Sequence, residues 1–231
     1  MDRVILDNIP FEPHFSTLMR KLHIKEGSSA VKKLERLVQE AQPIARPKAV
    51  YREVYVESRG KDYVTFDGIK FSSRVLRVNL EQAHRVFIYV ATGGQELDEW
   101  SHGIDDMLEG YWADAIAEMA LRSATQTLKR HLIEHYRLGN TSSMSPGSLE
   151  DWPIQQQRVL FAALGDPEAD IGVRLSDSLL MIPTKSLSGL RFPIEENFES
   201  CQLCPRDRCP GRRAKYDAEL YAKKYESAEA G

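Results

Sequence analysis

Apolar positions change their period along the chain, and each change predicts a different element. Over residues 9–42, Leu18, Leu22, Val31, Leu34 and Leu37 recur at near-helical spacing, with Lys and Glu between them. Ser28 and Ser29 stand where they could cap the second of two helices, and Pro43 and Pro47 punctuate the linker A-Q-P-I-A-R-P-K. From 49 to 79 the period shortens. Val50, Val54 and Val56 lie in an alternating run, and Tyr63-Val64-Thr65-Phe66 is a second strand candidate. Residues 58–62 read as a turn and Asp67-Gly68 as a tight one, so a small antiparallel meander is predicted. Residues 84–91 form an apolar strand closed by Thr92-Gly93-Gly94, with a helix from about Gln95.

Residues 111–137 contain no Gly or Pro and predict the longest helix, which stops at Gly139-Asn140. Its small residues Ala113, Ala117, Ala120 and Ala124 suit close packing against another element. A turn at Pro146-Gly147 then leads to an amphipathic helix with Asp151-Trp152-Pro153 at its start. Ile154, Val159, Leu160, Phe161 and Leu164 form its apolar face. Residues 212–226 read as a polar helix. Three segments follow: an N-terminal helical part (1–48), an α+β core (49–192), and a Cys-containing tail with a C-terminal helix (193–231).

Composition narrows the class. The chain has 231 residues, of which 42% are hydrophobic, enough for a true core. Its net charge of −3 supplies no basic field for nucleic acid or an anionic membrane. Apolar runs such as 86–91 are far short of the roughly 20 residues a spanning helix needs. The opening M-D-R-V-I-L-D-N-I-P-F has no signal-peptide block, so a soluble cytoplasmic protein without nucleic-acid or membrane partners is expected.

The stretch from Met144 to Leu190 carries the most specific pattern. It contains Ser145-Pro146-Gly147-Ser148, then Gly172-x-x-Leu175-Ser176-Asp177-Ser178, Met181, and Ser186-x-Ser188-Gly189. This order and spacing resemble the activation domain of cobalamin-dependent methionine synthase. With I-P-F-E near the start and V-A-T-G-G before the long helix, the resemblance to short stand-alone members covers residues 8–192. It implies an α+β fold, an antiparallel sheet with long helices. It also implies a role in reductive reactivation, in which an electron and a methyl group from S-adenosylmethionine restore methylcobalamin. The corrinoid supplies the hard chemistry there. The implied partners are a corrinoid-binding methyltransferase or methionine synthase module and an electron donor protein, with cobalamin reached through the partner.

The resemblance assigns cofactor contacts to Ser145, Pro146, Gly147, Ser148, Ser188 and Gly189, with Arg191 beside them, and assigns no catalytic residue. The chain departs from the family pattern at Ser143, Ser148 and Leu190-Arg191, where the family carries an arginine, a tyrosine and an aromatic pair. Such residues would form a carboxylate clamp and an adenine or ribose platform. Arg174 and Arg191 are the candidates to replace the clamp. The methyl-transfer barrels are not expected, since each needs about 250 residues, and the cobalamin-ligating D-x-H-x-x-G pattern is absent.

Three further groups lie outside that pattern. Cys201, Cys204 and Cys209 fall within nine residues, too clustered for a disulfide framework in a cytosolic chain. Zinc or an iron–sulfur cluster, free thiols, or a redox-active C-x-x-C pair are the open readings. A cluster would make the chain an electron-transfer accessory of a corrinoid system, the alternative to S-adenosylmethionine-dependent reactivation. His131-x-x-Glu134-His135 formally matches an inverted zincin motif, but a polar helix end is the preferred reading. Thr92-Gly93-Gly94-Gln95 could hold an anion, yet a tight strand–helix turn is preferred.

Overall fold

The computed structural model describes residues 2–195, 198–209 and 211–226. Its element order is β1 (Val4–Leu6), α1 (Phe15–Lys21), α2 (Ser29–Ile44), β2 (Lys48–Arg59), β3 (Tyr63–Phe66), β4 (Ile69–Ser72), α3 (Arg74–Asn79) and β5 (Arg85–Thr92). Next come α4 (Gln95–His102), α5 (Met107–His135), β6 (Thr141–Met144), α6 (Gln156–Leu164), α7 (Pro167–Ile171), β7 (Arg174–Leu175), β8 (Met181–Ile182) and β9 (Ser186–Pro193). The predicted meander is present as β2–β3–β4, joined antiparallel.

The main sheet runs β4-β3-β2-β5-β9-β6, and β1 pairs with β2 beside β3. Every pairing is antiparallel, so the fold is α+β as expected. Strand β5 is apolar on both sides because both of its faces are covered. Val86, Ile88 and Val90 face a core with Trp152, Leu160, Leu190 and Phe192. Phe87, Tyr89 and Ala91 face Ala124, Leu128 and Leu132 of α5. The alanines of α5 are buried and let the helix lie close to the sheet, so close that a Cβ at Gly93 would meet Ala117 O at 2.9 Å. Helix α2 packs Leu34, Leu37 and Ala41 with Trp112, Ile116 and Ala120 of α5.

Two sequence expectations change. The amphipathic helix after Pro146-Gly147 starts at Gln156, and Asp151 does not cap it. Asp151 instead reaches the first turn of α3, where its carboxylate accepts Arg74 N at 3.2 Å, Val75 N at 3.0 Å and the Ser73 hydroxyl. Ser73 itself caps α3 by accepting Leu76 N at 3.0 Å. The isolated bridge between Leu149 and Trp152 turns the chain back before a helix can begin at Asp151.

The second change is in the tail. Residues 212–226 are not one polar helix; the described part has a single π-helical turn, Tyr221–Glu226. The Arg212 guanidinium donates to Cys201 O, Ala214 O, Cys204 O and Arg206 O, which commits the local carbonyls to a closed loop. Tyr225 is fully buried and its hydroxyl donates to Asn79 Oδ1 at 3.0 Å, anchoring the last turn to α3. Among the described residues, no helix is long and apolar enough to cross a membrane.

Candidate functional site

The residues singled out around Pro146-Gly147 and Ser188-Gly189 meet where β6 ends against β9. Met144 lies opposite Leu190 and Ser143 opposite Arg191, while on the other side of β9 Gly189 lies opposite Tyr89 of β5. The loop after β6 is closed by two hydrogen bonds, Ser148 N to Ser145 O at 3.1 Å and Gly147 N to Trp152 O at 2.7 Å. Gly147 has φ +79°, a conformation glycine adopts without steric cost, so the turn after Pro146 has a local cause.

Gly189 brings three elements together. A Cβ there would lie 2.6 Å from Met144 O, 2.9 Å from Ser145 Oγ and 3.0 Å from Tyr89 Oη. The missing side chain therefore lets the start of the Pro-Gly loop and the Tyr89 hydroxyl converge over β9. Arg191, two residues on, lies on the same face of the strand. Its Nη1 donates to Thr141 Oγ1 at 3.1 Å, but its Nε is buried without a hydrogen-bond partner among the described residues. Burial pushes the guanidinium pKa down; Tyr89 and Glu199 act against that shift and Arg213 adds to it. A buried cation with an open donor is the arrangement that a carboxylate or another anion would satisfy.

The other predicted residues divide. Ser188 is buried and, by the strand's alternation, points to the opposite face from Gly189 and Arg191. Ser148 donates its hydroxyl to Ser145 O at 2.6 Å and lines a cavity of about 480 Å³ with Asp151, Cys204, Tyr216 and Tyr221. The Gly172–Ser178 pattern forms a small hairpin. Gly172 ends α7 with φ +75°, β7 pairs with β8, and Ser176 Oγ accepts Leu180 N at 3.0 Å. That motif is accounted for by its own turn chemistry, and Arg174 within it is exposed. Sequence reasoning missed Tyr89 and Thr141. The signal for Tyr89 was a phenol within an otherwise apolar strand, whose hydroxyl requires a polar neighbour when buried.

The remaining groups have local roles. In the Thr92-Gly93-Gly94 turn, Gly93 N donates to Lys185 O at 2.8 Å and Gly94 N to Thr92 Oγ1 at 3.1 Å, so both amides are taken. His131 and His135 stack with ring centroids 5.3 Å apart, and His131 Nε2 is 2.9 Å from the Tyr51 hydroxyl. Cys201, Cys204 and Cys209 are free and half-buried. Among the described residues, no three His, Cys, Asp or Glu side chains gather where they could hold a metal ion.

An antiparallel sheet covered by long helices, with a Pro-Gly loop set against a glycine of the neighbouring strand, defines an activation-domain-like fold. The chain is similar to the crystal structure of the MetH reactivation domain bound to AdoHcy, with a TM-score of 0.56 and 13% sequence identity. The likeness covers 86% of this chain and 81% of that one, and at this identity it shows the fold. No protein-family model matches the chain, and no curated protein does.

Proposed function

We propose that this chain is an activation-domain-like protein that binds S-adenosylmethionine and supports reductive remethylation of a corrinoid methyltransferase such as methionine synthase. The observation that carries this reading is the junction of Ser145, Gly189 and Arg191. At Gly189 the missing Cβ lets the Ser145 and Tyr89 hydroxyls converge, beside a partly buried guanidinium whose Nε has no hydrogen-bond partner among the described residues. The solved neighbour of the same fold binds AdoHcy, which shares an amino-acid carboxylate and an adenosyl group with S-adenosylmethionine.

In this role the residues position rather than react. Arg191 holds the ligand carboxylate by charge-assisted hydrogen bonds. Gly189 lets the Ser145–Ser148 loop close onto β9, and that loop would present backbone to the ligand. Tyr89 and Ser145 offer hydroxyls beside it. The partner's corrinoid would supply the methyl-accepting centre, and the electron comes from a donor protein.

Titration calorimetry of the full chain with S-adenosylmethionine and S-adenosylhomocysteine tests the ligand. Saturable heat, lost in Arg191→Met with the fold retained, is the expected result. Absence of heat from the folded wild type would remove the ligand from the reading. Capture of a cobalamin-loaded methyltransferase module tests the partner separately, and failure of that capture would count against reactivation.

A further inference from the structure

The tail carries thiols that the proposed role does not use. Cys201 lies in the 3-10 turn Ser200–Gln202, which continues to Cys204: Leu203 N donates to Ser200 O at 3.1 Å and Cys204 N to Cys201 O at 3.4 Å. Residues i and i+3 of such a turn have Cα atoms within about 7 Å, which overlaps the roughly 4.4–6.8 Å range a disulfide requires. Side chains at this spacing leave a 3-10 turn on the same side.

The turn is held from several directions. Glu199 and Gln202 form a reciprocal capping box around it. The Arg212 guanidinium donates to Cys201 O at 3.1 Å and to Cys204 O at 3.2 Å, fixing both cysteine backbones against one rigid group. The Arg213 backbone N–H donates to Cys201 Sγ at 3.4 Å. Cys204 has access to solvent through the cavity of about 480 Å³ that it lines with Ser148, Asp151, Tyr216 and Tyr221. Cys209 lies beyond this turn, next to Gly211, and shares none of these restraints.

We propose that Cys201 and Cys204 form a dithiol–disulfide couple that exchanges with a small-molecule disulfide entering this cavity. The Cys204 thiolate attacks one sulfur of the incoming disulfide, forms a mixed disulfide and expels one thiolate. The Cys201 thiolate then attacks Cys204 Sγ, closes the Cys201–Cys204 bond and expels the second thiolate. The chain loses two electrons and the small disulfide gains them, while the two cysteine protons end on the two released thiols. Because Ser148 shares the cavity with Cys204, the couple borders the Pro-Gly loop directly. The proposal holds whether or not that loop binds a ligand.

The test treats the reduced full chain with oxidised glutathione without oxygen, then alkylates, digests and weighs the peptides. The expected product is a peptide containing Cys201 and Cys204 that is lighter by two hydrogens, with Cys209 alkylated. Cys209→Ser should react like the wild type, and Cys201→Ser should accumulate a stable glutathione adduct on Cys204. Circular dichroism confirms that each variant is folded. A linkage through Cys209, a lasting adduct on the wild type, or no reaction while the denatured chain reacts would overturn the proposal. So would protection of all three thiols by one equivalent of zinc, which would make the segment a metal site.

Discussion

Arg191 on β9 and Arg212 in the C-terminal loop are both partly buried, yet they are held in opposite ways. Arg212 donates to four backbone carbonyls, those of Cys201, Cys204, Arg206 and Ala214. Arg191 has one side-chain partner, Thr141, and a buried Nε with none among the described residues. A saturated guanidinium organises a loop whose regular structure is limited to the 3-10 turn Ser200–Gln202. An unsaturated one on a strand bears an uncompensated desolvation cost at its buried donor. Arg212 thus builds structure, while Arg191 is the arginine proposed to meet a ligand.

The largest effect expected from breaking this comparison is at Arg212. Arg212→Ala removes hydrogen bonds to several carbonyls, each worth about 1.5–3 kcal/mol when charge-assisted. The loop should open locally, and faster alkylation of Cys201 and Cys204 together with faster hydrogen exchange in the tail would register it. Unchanged rates would mean that the carbonyl cage is not what holds the loop.

Next is Gly189→Ala, which probes the strand side. A Cβ there would press on Met144 O at 2.6 Å, a backbone atom that cannot rotate away. Overpacking of this kind costs about 1–3 kcal/mol, seen as a lower melting temperature, and ligand heat should be lost as well. A variant with wild-type stability would show that β6 and β9 can separate at no cost.

Arg191→Met should behave unlike Arg212→Ala. Replacing a buried, partly unsatisfied cation by an apolar chain of similar length is expected to change stability by less than about 1 kcal/mol, or to raise it. The S-adenosylmethionine affinity should fall at least about tenfold, equivalent to about 1.4 kcal/mol. A large loss of stability in this variant would make Arg191 a structural residue like Arg212 and erase the contrast.

The smallest effect concerns pH and lies beside Tyr51, on the face of the sheet that α5 covers. Burial lowers the His131 pKa, and the charge of neighbouring His135 adds to the shift while Glu134 opposes it. The folded state thus binds its proton less readily than the unfolded chain, so stability should decline as pH falls through the unfolded pKa of about 6.5. His131→Gln should flatten that part of a stability–pH profile measured by denaturant titration. An unchanged slope would place the titration elsewhere.

Much of the architecture was legible because the local pattern and the tertiary environment agreed. The alternation of Val50, Val54 and Val56 and the Asp67-Gly68 turn encode the meander, and the Ala-rich run without Gly or Pro encodes α5. The site was partly legible. Ser145, Pro146, Gly147 and Gly189 were picked out by the family resemblance and Arg191 by a departure from it; the loop start meets Gly189 with Arg191 on the same strand face, whereas Ser188 turns to the opposite face. Asp151 was misassigned because a carboxylate before Pro153 looks the same to local rules whether it caps its own helix or α3. The tail was misassigned because a polar run favours a helix only until Arg212 turns to the carbonyls of the cysteine loop and Tyr225 reaches Asn79.

The chain by itself determined where most of its elements form, which faces are apolar, and that its net charge is −3. Those properties follow from side-chain period, backbone preference and charge within a few residues. Tertiary structure alone decided that Tyr89 lies against Gly189, that Thr141 accepts from Arg191 and that the Arg191 Nε is buried without a partner among the described residues. It alone decided that Arg212 closes the cysteine loop and that Asp151 belongs to α3. Each of these depends on hydrogen-bond satisfaction and close approach between residues beyond one another's helical or strand neighbourhood, which only the packed fold brings into contact.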